Sequence, residues 1–382
     1  MVSNYVPILK AKKGEFDALS HLTEGDMKKI TPWFDVSMLT DKDKKKLETK
    51  GELPIVYKLN SVANGIANVC SGHEVYIDLP QWPTNGQTEH GEHVISHMIN
   101  RLDSLGVSVN PVIDFESWDD PVYSDVFKKI RLSKRQCICI RLSMNIDTVA
   151  EILTDPDYIK DHMESILKSL NVTHKQTALL IDFSDISSAN KTVPDMIEQA
   201  SKAIALLSQY KFNNMMMAGC SMPPFISSAV KSQNDVGIVI RKEMIAWQAI
   251  LEDTPSLNLT FSDYCVRGPS SAEVGYGNTT NGKIRYSIDK NYFIARGYPL
   301  STGLKGEQHY GLSEKIINSG YYMGRSFSWG DDRIHRCSEE EFKGNACNWI
   351  AIDTNHHMKT VLAEIYEFRQ KVTIQQKSKE KA

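Results

Sequence analysis

Eight short apolar runs recur along the first two-thirds of the chain, and most stop at a charged residue. They are Tyr5–Leu9 before Lys10, Ile30–Phe34 before Asp35, Val75–Ile77 before Asp78 and Pro111–Ile113 before Asp114. Four more follow: Cys137–Ile140 before Arg141, Ala178–Ile181 before Asp182, Met215–Ala218 before Gly219, and Leu257–Phe261 ahead of Asp263. Continuous apolar runs suit strands buried on both faces. Helical patterns near 58–68, 91–105, 121–132, 158–169, 194–209 and 235–252 fall between them, as right-handed crossovers require. This alternation predicts an α/β fold, a (β/α)8 TIM-like barrel, whose active site would be built where the charged strand ends converge.

A barrel takes roughly 250 residues, and the chain has 382. The spacing therefore places the barrel at 1–266 and a C-terminal α+β extension, a hairpin plus helices packed on the barrel, at 267–382. Residues 268–282 are rich in turn formers and predict a loop at the barrel mouth. A hairpin is expected at 284–288 and 292–295, turning at 289–291, followed by helices near 312–318 and 356–369. The stretches 324–332 and 344–349 mix small, aromatic and polar residues and read as recognition loops, whereas DKDKKKLETK at 41–50 reads as a solvated face.

A formal net charge of −3 supplies no basic field for sequence-independent nucleic-acid binding, though a local site stays open. The seven cysteines lack zinc-type spacing and read as reduced thiols, pointing to a cytoplasmic protein. No run is long enough for a membrane helix. Phosphate-loop and dinucleotide fingerprints are absent, so no nucleotide cofactor is expected. Ser221 lacks the spacing of a nucleophile elbow.

Lys10, Asp35, Asp78, Asp114, Glu116, Arg141, Asp182, Asp185 and Asp263 form the leading constellation. Carboxylates facing one cavity are tolerable when protonated, paired with Lys10 and Arg141, or bridged by a cation. The sharper reading has Asp78, Asp114 and Asp182 holding Mg²⁺ or Mn²⁺ for phosphodiester hydrolysis, with Asp114 and Asp182 catalytic and Lys10 neutralising phosphate. The plainer one is an ion-pair network plugging the barrel, or residues that merely cap the strands. Two histidine groups add candidates. His90, His93 and His97 have spacing that suits a transition metal if they share a helix face. Asp353 or Thr354 would cap the terminal helix, placing Asn355, His356 and His357 in its first turn, where a histidine could act as acid or base.

Several motifs together resemble the family called "beta protein", found in phages and bacteria. They are Tyr5–Lys10 with Gly14-Glu15 and Ala18-Leu19, Ile77-Asp78-Leu79, Arg285-Tyr286, Ala295-Arg296-Gly297, Phe327–Asp331, Gly344-Asn345, Trp349 and Thr354–His357. Trp33-Phe-Asp35 departs from the pattern, keeping an acid where similar members tend to carry Glu. The resemblance implies that Glu15, Arg285, Arg296, Ser328, Asp331 and Asn355 join Arg141 as substrate-binding candidates, in a setting of phage–host conflict. Two functions follow as expectations. One is a barrel enzyme acting on a phosphate-containing substrate, a nucleic acid or nucleotide; the other is a non-catalytic recognition subunit presenting 268–298 and 324–349 to a protein partner.

Overall fold

The computed structural model describes residues 4–133, 136–144, 155–269, 280–302 and 304–379. Its strands are β1 (Tyr5–Leu9), β2 (Trp33–Asp35), β3 (Glu74–Asp78), β4 (Ser108–Asp114), β5 (Ile138–Ser143), β6 (Thr177–Asp185), β7 (Asn214–Cys220), β8 (Asp235–Ile240), β9 (Leu259–Asp263), β10 (Asn281–Ile288) and β11 (Asn291–Pro299). The first seven and β9 close into a barrel, and all its pairings are parallel. Each predicted apolar run contributes one barrel strand. Strand alternation divides the core. Val6, Ile8, Trp33, Tyr76, Val112, Cys139, Leu180 and Met216 fill the interior, while Leu9, Phe34, Ile77, Ile113, Ile140 and Ile181 pack outward on the helices.

Residues 235–252 are not one helix. Asp235–Ile240 is a strand, and the helix begins at Lys242. Val236, Ile238, Val239 and Ile240 are β-branched, and β11 offers them an antiparallel partner, from Asn291↔Ile240 to Arg296↔Asp235. The predicted hairpin forms, turning between Ile288 and Asn291. With β8 it makes a three-stranded sheet in the order β10, β11, β8. One face of that sheet lies over the barrel mouth, where Tyr292 and Ile294 join the interior core beside Tyr264 and Val266. Ile284, Tyr286, Ile288 and Phe293 on the other face pack against the helices Gln308–Ile317 and Trp329–Ser338.

The terminal helix runs from Ala346 to Lys379, beginning ten residues earlier than its sequence pattern indicates. Met358, Val361, Leu362, Ile365 and Phe368 recur at helical spacing and share the core between strands and helices. This helix thus completes the barrel wall. At Gly14 the wall is so tight that a Cβ would lie 2.9 Å from the Cys347 carbonyl, so a side chain there would force apart the helix Lys13–Ser20 and the terminal helix. The charged run forms an exposed helix, Asp41–Glu48, in keeping with a solvated face. Residues 270–279 of the expected mouth loop lie outside the described residues.

Candidate functional site

Lys10, Asp35, Asp78, Arg141 and Asp182 share the inward parity of the interior core and are buried. Arg141 is their hub. Its Nη1 donates to Asp78 at 2.6 Å, its Nε and Nη2 donate to Asp182 at 2.9 and 2.6 Å, and Asp35 lies 3.5 Å away. Tyr264 Oη receives a bond from Arg141 and donates one to Asp182, both at 2.6 Å. The Trp33 indole donates to Asp35 and lies under the guanidinium. One guanidinium faces three carboxylates, and burial pushes Asp78 up to about 7 despite the pull of Arg141. The ion-pair plug is the arrangement present.

Other members of the predicted ring lie elsewhere. Asp114 is turned aside, accepting from the amide and hydroxyl of Ser117 at 3.0 and 2.5 Å. Glu116 is exposed. Asp185 lies beyond a register shift in β6 and accepts from the Ser187 amide. Asp263 shares the outward parity of Phe261 and faces the terminal helix; Tyr264, one residue later, points inward. That alternation was legible in the sequence and would have identified Tyr264. Asp78, Asp114 and Asp182 are not brought together as one ligand group: Arg141 bonds Asp78 and Asp182, while Asp114 is bonded to Ser117. Among the described residues, the group whose potential ligand atoms all lie within 4.8 Å of one another is Asp263, Cys265 and His357.

His356 and His357 lie within the terminal helix, not in its first turn, and both are fully buried. His357 bonds Asp263 through Nε2 at 2.8 Å and Ser287 Oγ through Nδ1 at 2.7 Å. Burial lowers the His357 pKa, opposed by the charge and hydrogen bond of Asp263. Burial alone would raise Asp263, yet the charge and hydrogen bond of His357, the charge of Arg241 and the Tyr5 hydroxyl outweigh it and hold the carboxyl at about 2. Behind it, Arg241 pairs with Glu364 at 2.6 Å.

His356 meets Asp331 at 2.9 Å and the Ser287 carbonyl at 2.8 Å, stacked on Tyr286. Ser328 caps the helix Trp329–Ser338 and bonds Asp331. Asn355 accepts from the Gly330 amide and donates to the Ala18 carbonyl. Ser328, Asp331, Asn355 and His356 therefore latch three helices and the hairpin together; of the stretch 324–332, residues 329–332 begin the helix that Ser328 caps, while 324–327 precede it with Arg325 and Ser326 exposed. Arg296 donates to the carbonyls of Val230 and Lys231. The paired histidines near residue 95 do not converge on an ion. His93 caps its helix and reaches the Thr84 carbonyl, while His97 is held by Glu92 and Asn60.

At the rim between β1, β9, β10 and the terminal helix, cations outnumber carboxylates. Arg285 donates to Asp353 at 2.8 Å, Arg267 lies 3.9 Å from Glu15, and Lys10 donates to the Pro269 carbonyl. Burial lowers Lys10, and burial with Arg285 and Arg267 nearby lowers Lys283 to about 8. Asp353 is pushed up to about 6 by burial, and its Oδ1 has no hydrogen-bond partner. Beside this rim a groove of about 470 Å³ opens on the outer wall, lined in part by Lys12, Lys13 and Lys58.

A closed parallel barrel with charged strand ends at a mouth half-covered by its own extension defines a (β/α)8 barrel protein. A family model described as Beta protein matches residues 5–363, nearly the whole chain, and the protein belongs to that family. No curated protein matches the chain. Among solved structures it is similar to a GH18 chitinase from Pseudoalteromonas aurantia, at 12% identity and a TM-score of 0.34, over 57% of this chain and 94% of that one. Likeness at that level carries no argument about function. No helix among the described residues is long and apolar enough to cross a membrane.

Proposed function

We propose that the barrel mouth binds a phosphate-containing ligand, and that Lys10, Arg267 and Lys283 are its principal contacts. The supporting observation is the charge balance of the rim. Lys10, Arg267, Lys283 and Arg285 carry four positive charges against the three of Glu15, Asp35 and Asp353, and the two lysines are held below their ordinary pKa values. An anion that enters offsets the burial of both lysines and the repulsion on Lys283, and so favours their charged forms. The lysines along the adjoining groove extend the same field, which favours a ligand with more than one phosphate, a nucleotide or a nucleic-acid strand. If the ligand is hydrolysed, Asp353 is the group placed to move a proton, since it titrates near neutrality and has an uncommitted oxygen. A Mg²⁺ or Mn²⁺ centre on Asp78, Asp114 and Asp182 would require Arg141 to withdraw, and this reading does not use one. The setting we infer is phage–host conflict, on family membership alone.

Calorimetric titration with tripolyphosphate at low ionic strength tests the reading. The wild type should bind, Lys10→Met with Lys283→Met should bind at least about tenfold more weakly, and wild-type affinity should fall as pH rises through about 8, where Lys283 loses its proton. An affinity that these changes leave intact would defeat it. A second reading, a recognition subunit for a protein partner, is favoured by β8. This strand ends the small sheet with Val236, Ile238 and Ile240 exposed at 38, 51 and 53%, a larger run of apolar edge than soluble proteins ordinarily leave bare.

A further inference from the structure

We infer that Asp263, Cys265 and His357 form a binding site for one divalent transition-metal ion of the zinc type, clasping the extension and the terminal helix to the end of β9. Their potential ligand atoms already lie within 4.8 Å of one another. A thiolate, an imidazole and a carboxylate are the donors that zinc takes, and they suit magnesium poorly.

Each ligand is oriented from behind, as metal ligands usually are. Ser287 Oγ stands 2.7 Å from His357 Nδ1, leaving Nε2 toward the cluster. Asp263 Oδ1 is fixed by Tyr5 Oη at 2.6 Å and by the Cys265 amide at 3.0 Å, leaving Oδ2 toward His357. Cys265 takes φ 50, a conformation that side chains other than glycine seldom adopt, and its Sγ lies 3.4 Å from Tyr5 Oη. The separation of His357 Nε2 and Asp263 Oδ2, now 2.8 Å, would widen to about 3.3 Å around a tetrahedral ion.

The charges also balance. Arg241, Asp263 and Glu364 sum to −1, with Arg241 3.6 Å from Asp263 and paired to Glu364. On binding, the Cys265 S–H bond breaks, the metal–sulfur bond forms and that proton leaves to solvent. His357 keeps one proton, moved to Nδ1 and donated to Ser287. The ion adds two charges and the thiolate removes one, so the cluster becomes neutral. Glu243, the remaining acid near Arg241, is bonded to Ser221 rather than to the cluster.

The test is to unfold the full chain in chelator, refold it with excess Zn²⁺ or Co²⁺, remove free metal and measure metal content and the near-ultraviolet thiolate-to-cobalt absorption. The expected result is one ion per chain, an absorption band with Co²⁺ and one proton released per ion. Cys265→Ser should abolish the band. Ser287→Ala keeps all three ligands and should weaken the ion about 10- to 100-fold, which decides the matter even if the cysteine variant does not refold. Less than about one ion per ten refolded wild-type chains, or a band that survives in Cys265→Ser, overturns the inference and leaves a hydrogen-bonded network without metal.

Discussion

The Arg141 cluster and the rim above it use the same residue types to opposite ends. In the cluster every charged group has a partner within the barrel: Arg141 meets Asp78 and Asp182 at hydrogen-bonding distance and Tyr264 closes the circuit. At the rim, four cations share three carboxylates, Lys283 is pulled down to about 8, and an oxygen of Asp353 is left without a hydrogen bond. The cluster carries an excess of carboxylates whose hydrogen bonds to Arg141 must break before a ligand can enter, whereas the rim carries an excess of cations. Charged strand ends are therefore bonded to one another in the cluster and less fully paired at the rim.

The largest effect should come from Arg141→Met, which strands Asp78, Asp182 and Asp35 in a dry interior. We expect a loss of about 3–5 kcal/mol in urea unfolding, and a loss below about 1 kcal/mol would mean that the cluster is less saturated than its geometry indicates.

Glu243 sharpens the comparison through pH. It is buried in the first turn of the helix Lys242–Asp253, bonded to Ser221, with its Oε1 unpartnered. Burial lifts it from an ordinary 4.5 to about 7, so its protonated form is the one the fold prefers. The stability this confers is complete below pH 4.5 and is lost as pH rises through 7. Glu243→Gln should then exceed the wild type by on the order of 2–3 kcal/mol at pH 8, with the gap closing below pH 5. A gap that does not change with pH would show that Glu243 is ionised in the folded state.

The smallest effect on stability is expected at β8. Ile238→Lys should alter unfolding by no more than about 0.5 kcal/mol, because the side chain is already half in water. Complete loss of capture of a protein partner in the same variant would favour the recognition reading over ligand binding at the mouth.

Much of the architecture was legible because its causes are local. Eight apolar runs of strand length, with helical patterns between them, leave few alternatives to a parallel barrel, and the Asp289–Asn291 turn marks the hairpin. The missed elements had non-local causes. Val236–Ile240 is apolar enough for either a helix or a strand, and only the partner strand β11 makes the choice. The terminal helix starts at Ala346 because packing against the helix Lys13–Ser20 stabilises a first segment whose own sequence shows no clear periodicity.

The sites divide the same way. Sequence by itself determined that acids and an arginine would gather at the strand ends, since period-2 alternation carries Asp35, Asp78, Arg141 and Asp182 inward. It did not determine which of them would be spent on one another. Tertiary structure alone decided that Arg141 bonds Asp78 and Asp182, that Asp263 meets His357 across 94 residues and that His357 meets Ser287 across 70. The reason is physical: burial is written into local hydrophobic pattern, whereas a charged group's partner depends on which distant segments the closed barrel and its extension bring within about 3 Å.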